Sequence, residues 1–127
     1  MSDLKVLIVD DQCGIRRLLT EYFRHEGWQP VEATNGREAL DKLPENPDVI
    51  LLDMKMPVMD GIDCLEKLRQ THPNLPVIVM TAYGEQGIMN QAEELGIDGK
   101  VFKPFDVLAL RDAVLQVHDH QRLPVVS

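Results

Sequence analysis

The sequence predicts an α/β protein, a three-layer α/β/α sandwich around a five-stranded parallel sheet. Short, nearly unbroken apolar runs recur along it, as in Leu4-Lys-Val-Leu-Ile-Val9, Asp48-Val-Ile-Leu-Leu-Asp53 and Val77-Ile-Val-Met80. Strands buried on both faces read this way. Segments of helical periodicity alternate with these runs, and each crossover is short. That alternation implies parallel strands with helices on both faces.

The elements follow in order. Leu4–Val9 is the first strand and ends in Asp10-Asp11. The next helix carries Ile15, Leu18, Leu19, Tyr22 and Phe23 at i, i+3, i+4, i+7 and i+8, one apolar stripe. Gly27 is its expected stop. Trp28–Ala33 is the weakest strand; Pro30 lacks a backbone donor, which places it at a sheet edge. Asn35 caps a short second helix with Glu38 three residues on, and Pro44 and Pro47 close it. Asp48–Asp53 is the most buried strand by composition, and Ile62, Leu65 and Leu68 face the core from the third helix. The strand Val77–Met80 ends in Thr81. A fourth helix over about 85–95 is poorly specified, with Gly87 inside it and few apolar anchors. A short fifth strand near Lys100–Phe102 leads into Lys103-Pro104. Asp106 caps a last helix with the stripe Leu110, Ala113, Val114 and Val117. One domain over 1–118 is expected, with a frayed tail over 119–127.

The totals narrow the function. A length of 127 residues suits one domain with an ordinary core, and 44% apolar with 27% charged residues suits a globular chain. No apolar run approaches the roughly 20 residues that span a bilayer, and Met1-Ser-Asp-Leu-Lys5 lacks the features of a signal peptide. Cys13 and Cys64 read as free thiols in a reducing cytoplasm. The net charge of −8 argues against nucleic acid as a direct partner and points to another protein.

Four strands end in polar residues: Asp10-Asp11, Asp53, Thr81 and Lys103. Ligands of open parallel sheets bind outside the carboxyl ends of the strands. In the flavodoxin-like order 2-1-3-4-5 the first and third strands are neighbours, which brings Asp10, Asp11 and Asp53 together. Three adjacent carboxylates need a counter-charge, and Mg²⁺ with oxygen ligands supplies it. Asp53 then reads as a covalent phosphate acceptor, with Lys103 neutralising phosphoryl oxygens and Thr81 donating a hydrogen bond. Each piece alone has a plainer reading. Asp10-Asp11 caps a helix, a lone Asp after a strand is a turn residue, and Thr81 and Lys103-Pro104 are ordinary strand ends. It is the joint order that favours chemistry. No G-x-x-x-x-G-K-[ST] loop is present, which disfavours a nucleotide-driven enzyme.

Val9-Asp-Asp11, Leu52-Asp-Met-Lys-Met-Pro57, Met59-Asp-Gly61, Thr81-Ala82 and Lys103-Pro-Phe105 resemble the receiver domain of two-component response regulators over residues 4 to 118. Within that family the chain is most similar to single-domain sporulation phosphorelay regulators. The resemblance implies Asp53 as phosphoacceptor and a Mg²⁺ site of Asp10, Asp11, Asp53 and the Lys55 carbonyl. It also implies phosphoryl contacts from Thr81 and Lys103, and a cis Lys103-Pro104 bond. The implied partners are a sensor histidine kinase, a histidine phosphotransferase and an aspartyl-phosphate phosphatase, with neither nucleic acid nor membrane. The expected docking rim comprises Gln12, Gly14, Ile15, Leu18, Tyr83, Gly84, Pro104 and Phe105, core packing being the competing reading for Ile15 and Leu18.

Two departures bear on output. Many receivers carry an aromatic switch residue three positions before the lysine; Lys100 stands there, and Phe102 is expected on the other face of the strand from Lys103. No output domain is expected after the receiver. The expected function is therefore a cytoplasmic phosphorelay intermediate in sporulation initiation, with Lys55 and Tyr83 shielding the acyl phosphate from water. Two alternatives stand beside it. One is a stand-alone receiver of the chemotaxis kind, and the other a Mg²⁺-dependent phosphatase with an Asp nucleophile, disfavoured because Asp53-Met-Lys55 lacks an Asp-x-Asp pattern.

Overall fold

The computed structural model describes residues 4–82 and 84–122. Five strands alternate with five helices: β1 (Lys5–Val9), α1 (Cys13–His25), β2 (Gln29–Ala33), α2 (Gly36–Asp41), β3 (Val49–Asp53), α3 (Gly61–Thr71), β4 (Val77–Ala82), α4 (Gln86–Leu95), β5 (Gly99–Lys103) and α5 (Val107–Arg122). All pairings are parallel and the order is β2-β1-β3-β4-β5, as expected.

Side-chain alternation along the strands splits the core into two layers. Leu7, Val9, Ile50, Leu52, Val77 and Val79 face Ala39 of α2, Cys64, Leu65 and Leu68 of α3, and Met89 and Ala92 of α4. Val6, Ile8, Val49, Leu51, Ile78 and Met80 face Leu19 and Phe23 of α1 and Leu110 and Val114 of α5. The sheet is thus covered on both sides, which is why residues 6–9, 49–52 and 77–80 are apolar at every position.

Local signals behave as their chemistry requires. Asn35 accepts the Glu38 N–H at 2.9 Å, and the Glu38 carboxylate reaches back to the Thr34 N–H at 2.8 Å. Gly27 has φ +85°, past the end of α1. Pro30 lies on the edge strand β2. Asp60 caps α3 through the Asp63 N–H at 3.0 Å, a role the sequence reading did not give it. The Arg69 guanidinium collects the carbonyls of His72, Pro73, Leu75 and Gly96, tying α3 to the loops before β4 and β5.

The expected stripe of α1 changes. Leu18 does not join the core stripe of α1; it is 53% exposed. The α1 stripe is narrower, with Leu19 and Phe23 fully buried and Ile15 and Tyr22 half-buried against the same cluster. The helix α5 runs through Arg122, and 123–127 of the expected tail lie outside the described residues. No helix among the described residues is long and apolar enough to cross a membrane.

Candidate functional site

Strand register builds the site. Val9 pairs with Leu52 and Asp53 with Met80, so the residues ending β1, β3 and β4 emerge side by side. Thr81 pairs with Phe102 and Ala82 with Lys103, adding β5 to the same rim. Asp10, Asp53 and Thr81 are buried and Asp11 is exposed. One oxygen from each of Asp10, Asp11 and Asp53 lies within 4.8 Å of the others. Asp11, Gln12, Asp53, Lys55, Thr81, Ala82 and Lys103 line an open cavity of about 290 Å³.

The carboxylate of Asp10 is held at both oxygens. Its Oδ1 accepts the Gln12 N–H at 2.9 Å, ordering the entry to α1, and its Oδ2 accepts from Lys103 Nζ at 2.8 Å. The N-cap of α1 is Gln12, which makes no side-chain cap hydrogen bond, so Asp10 braces the turn before the helix rather than capping it. Lys103 Nζ also donates to Gln12 Oε1 at 3.3 Å and stands 3.6 Å from Asp53 Oδ1. The peptide bond from Lys103 to Pro104 is cis.

Asp53 is less well supported. Its hydrogen bond is a long one, from the Lys55 N–H to Oδ1 at 3.4 Å. Burial, with the Asp10 charge beside it, pushes its carboxyl up to about 6 against the pull of Lys103. This carboxylate is short of positive charge. The donor set, three carboxylates converging on one point, is one that a hard divalent cation satisfies. Among the described residues, Thr81 Oγ1 is buried without a hydrogen-bond partner in the same cavity wall. Such a hydroxyl is free to donate to a group entering the cavity.

The mouth is framed by residues with weaker sequence signals. Lys55 Nζ reaches Glu85 Oε2 at 3.2 Å, linking the loop after β3 to the loop after β4. Glu85 was missed, because nothing in its spacing marks it as a partner of Lys55. Of the expected docking rim, Gln12, Gly14, Leu18, Gly84 and Pro104 are exposed, and Ile15 and Phe105 are half-buried. Tyr83 lies outside the described residues. Lys100 pairs with Glu93 of α4, and Phe102 shares that face of β5, packing against the layer that holds Met89 and Ala92. Val101 packs on the opposite face. Of the two cysteines, Cys64 is inert, burial pushing its thiol up to about 12.

The description "Response regulator receiver domain" belongs to the family whose model matches residues 6–115. The chain is 50% identical over 115 residues to sporulation initiation phosphotransferase F of Bacillus subtilis, covering 90% of this chain and 93% of that protein. It is 36% identical over 115 residues to the chemotaxis protein CheY of Thermotoga maritima, covering 89% and 96% of the two. Among solved structures, the receiver domain of the Francisella response regulator 1452 superposes with a TM-score of 0.86 at 31% identity, over 94% of this chain and 100% of that one. Strand order, rim chemistry and sequence agree: this chain belongs to the response regulator receiver domain family.

Proposed function

We propose that this receiver is a phosphorelay intermediate, taking a phosphoryl group from a sensor histidine kinase onto Asp53 and passing it to a histidine phosphotransferase in the initiation of sporulation. The observation that carries the chemistry is the convergence of Asp10, Asp11, Lys103 and the unpartnered Thr81 hydroxyl on Asp53. What favours the relay is 50% identity to a protein named as a sporulation phosphotransferase, along 93% of its length.

The transfer is a nucleophilic displacement. An Asp53 carboxylate oxygen attacks the phosphorus of a phosphohistidine; the P–O bond forms as the P–N bond breaks, and the electron pair returns to the imidazole. Transfer onward is the reverse, with the acceptor imidazole displacing the Asp53 oxygen. Lys103 Nζ holds a cation beside the developing charge, and Thr81 Oγ1 donates to a phosphoryl oxygen. Asp10, Asp11, Asp53 and the Lys55 carbonyl would hold Mg²⁺, which when bound neutralises phosphoryl charge. Gln12, Gly14, Ile15, Leu18, Gly84, Pro104 and Phe105 form the docking rim, and Tyr83 belongs to the same proposal. Exposed Leu18 supports that rim, an apolar contact with no role in the core.

Incubation with acetyl phosphate and Mg²⁺ tests the phosphoacceptor. One phosphate is expected on the wild-type chain and none on Asp53→Asn, read by intact mass. Catalytic release of phosphate from many substrates would instead indicate a phosphatase. Transfer from an autophosphorylated kinase and then to a purified histidine phosphotransferase tests the relay. Failure of the second transfer favours a stand-alone receiver, the kind of protein to which the likeness to the Thermotoga chemotaxis protein points.

A further inference from the structure

The loop that leaves Asp53 carries a residue that neither the core nor the phosphoryl chemistry accounts for. Val58 has φ +70°, and across it the Met59 N–H donates to the Pro57 carbonyl at 2.7 Å. These are marks of the rare, strained form of the γ-turn. A β-branched residue at positive φ is an outlier. The conformation is imposed from both sides. The Gly61 N–H donates to the Met54 carbonyl at 3.1 Å, closing the loop on itself, and the Met59 carbonyl accepts the Gly36 N–H at 3.0 Å. Neither glycine has room to yield. A Cβ on Gly36 would stand 2.8 Å from the Met59 carbonyl oxygen, and one on Gly61 would stand 2.6 Å from the backbone carbonyl oxygen of Asp53.

Glycine at position 58 would relieve this strain. The chain has valine there, and Val58 is 82% exposed, so burial does not compensate for it. Strain that persists at a site held by its surroundings, next to a reactive group, points to a functional contact. Its place on the surface says which contact. Because the loop is closed between Met54 and Gly61, Val58 lies at most about 14 Å from Met54 along four residues of chain. A protein that brings a histidine to Asp53 covers roughly 800 Å² of this surface, a patch of about 16 Å radius. The other large apolar side chains exposed among the described residues, Leu18 at 53% and Leu108 at 52%, lie in the first half of α1 and the first turn of α5, which leave the same end of the sheet.

We infer that Val58 is a recognition residue for the histidine-bearing protein, its side chain held outward by the strained turn to enter an apolar pocket on that protein. This rests on the phosphotransfer reading above, and goes beyond it by extending the docking rim to the loop after β3. Val58 touches none of the reacting groups, so its loss weakens encounter and leaves chemistry alone.

The test compares wild type, Val58→Gly and Val58→Ile in the full chain. The phosphodonors are acetyl phosphate and an autophosphorylated sensor histidine kinase that labels the wild type. Val58→Gly should melt higher by about 2–5 °C as the turn relaxes, and should accept from acetyl phosphate at the wild-type rate. With the kinase, its KM should rise about tenfold at an unchanged maximal rate, the size of loss an interface contact produces. Val58→Ile keeps both the strain and the apolar contact and should behave as wild type. An unchanged KM in Val58→Gly overturns the inference, as does a melting temperature that fails to rise or an isoleucine variant as impaired as the glycine one. Absence of acetyl-phosphate labelling in the wild type would overturn the phosphoacceptor reading itself, and is thereby told apart.

Discussion

Lys103 Nζ is bonded to Asp10 at 2.8 Å while Asp53, the carboxylate it would serve in phosphotransfer, stands 3.6 Å away. In the proposed Mg²⁺ site the lysine would hold a carboxylate that the cation also draws on. Metal and lysine would then compete for Asp10, and binding of the first would free the second toward Asp53. Replacing Lys103 by Met should tighten Mg²⁺ binding by roughly tenfold, the effect of removing one partly desolvated competing charge. The same variant should label poorly with acetyl phosphate. Titration calorimetry and intact mass read the two arms separately.

The raised carboxyl of Asp53 gives the metal-free protein a distinct pH dependence. Below the ordinary carboxylate range the group is protonated whether the chain is folded or not, and contributes nothing. Between about pH 4 and 6 the unfolded chain loses its proton while the folded one keeps it, so the unfolded state gains stability. Above about pH 6 the full cost applies, about 2–3 kcal/mol. Asp53→Asn should match wild type near pH 3.5 and exceed it by about that amount at pH 7.5 in chelator. Added Mg²⁺ should shrink the difference. Urea denaturation at the two pH values measures it.

Most of the fold was legible because burial on both faces of a parallel sheet leaves unbroken apolar runs, and the polar residue ending each run marks the rim. What stayed hidden was pairing. Lys103 and Asp10 are 93 residues apart and Lys55 and Glu85 are 30 apart, and only the strand order brings either pair together. Helical spacing put Leu18 with Leu19 in one stripe, but spacing does not tell the edge of a stripe from its centre, and Leu18 lies beyond the edge. The turn at Val58 was illegible for a different reason. Left-handed backbone is ordinarily signalled by Gly or Asn, and here packing imposes it on a valine.

Thr81 separates stability from chemistry. Its hydroxyl is buried without a hydrogen-bond partner among the described residues, so the folded protein bears a desolvation cost there. Thr81→Val keeps the shape and removes that cost. It should be neutral or stabilising by up to about 1 kcal/mol in thermal or urea unfolding. Phosphorylation by acetyl phosphate should fall by about tenfold, one hydrogen bond to the phosphoryl group. A destabilised variant would mean that the hydroxyl already serves the fold.

The ion pair between Lys55 and Glu85 joins two loops over the cavity that holds Asp53. As a surface pair it adds little to stability, on the order of 0–1 kcal/mol. Under the proposed relay, the pair would help keep water from the acyl phosphate. Lys55→Ala should leave the melting temperature within about 1–2 °C of wild type and shorten the phosphorylated half-life several-fold in Mg²⁺. Loss of radiolabel from isolated phosphoprotein follows this. A wild-type half-life of seconds would count against the shielding role.

Leu18 and Ile15 divide interface from core on one helix. Leu18 is exposed beyond half of its surface, so Leu18→Ala removes little buried area and should change stability by less than about 0.5 kcal/mol. Ile15 is half-buried against the cluster of Leu19 and Phe23, and Ile15→Ala should cost about 1–2 kcal/mol. Both substitutions should weaken phosphotransfer with a kinase while labelling by acetyl phosphate stays at the wild-type rate. The informative variant is Leu18→Ala, because its loss of transfer cannot be blamed on unfolding. If it transfers normally, the helix docks elsewhere, and the rim of α1 is not where the histidine arrives.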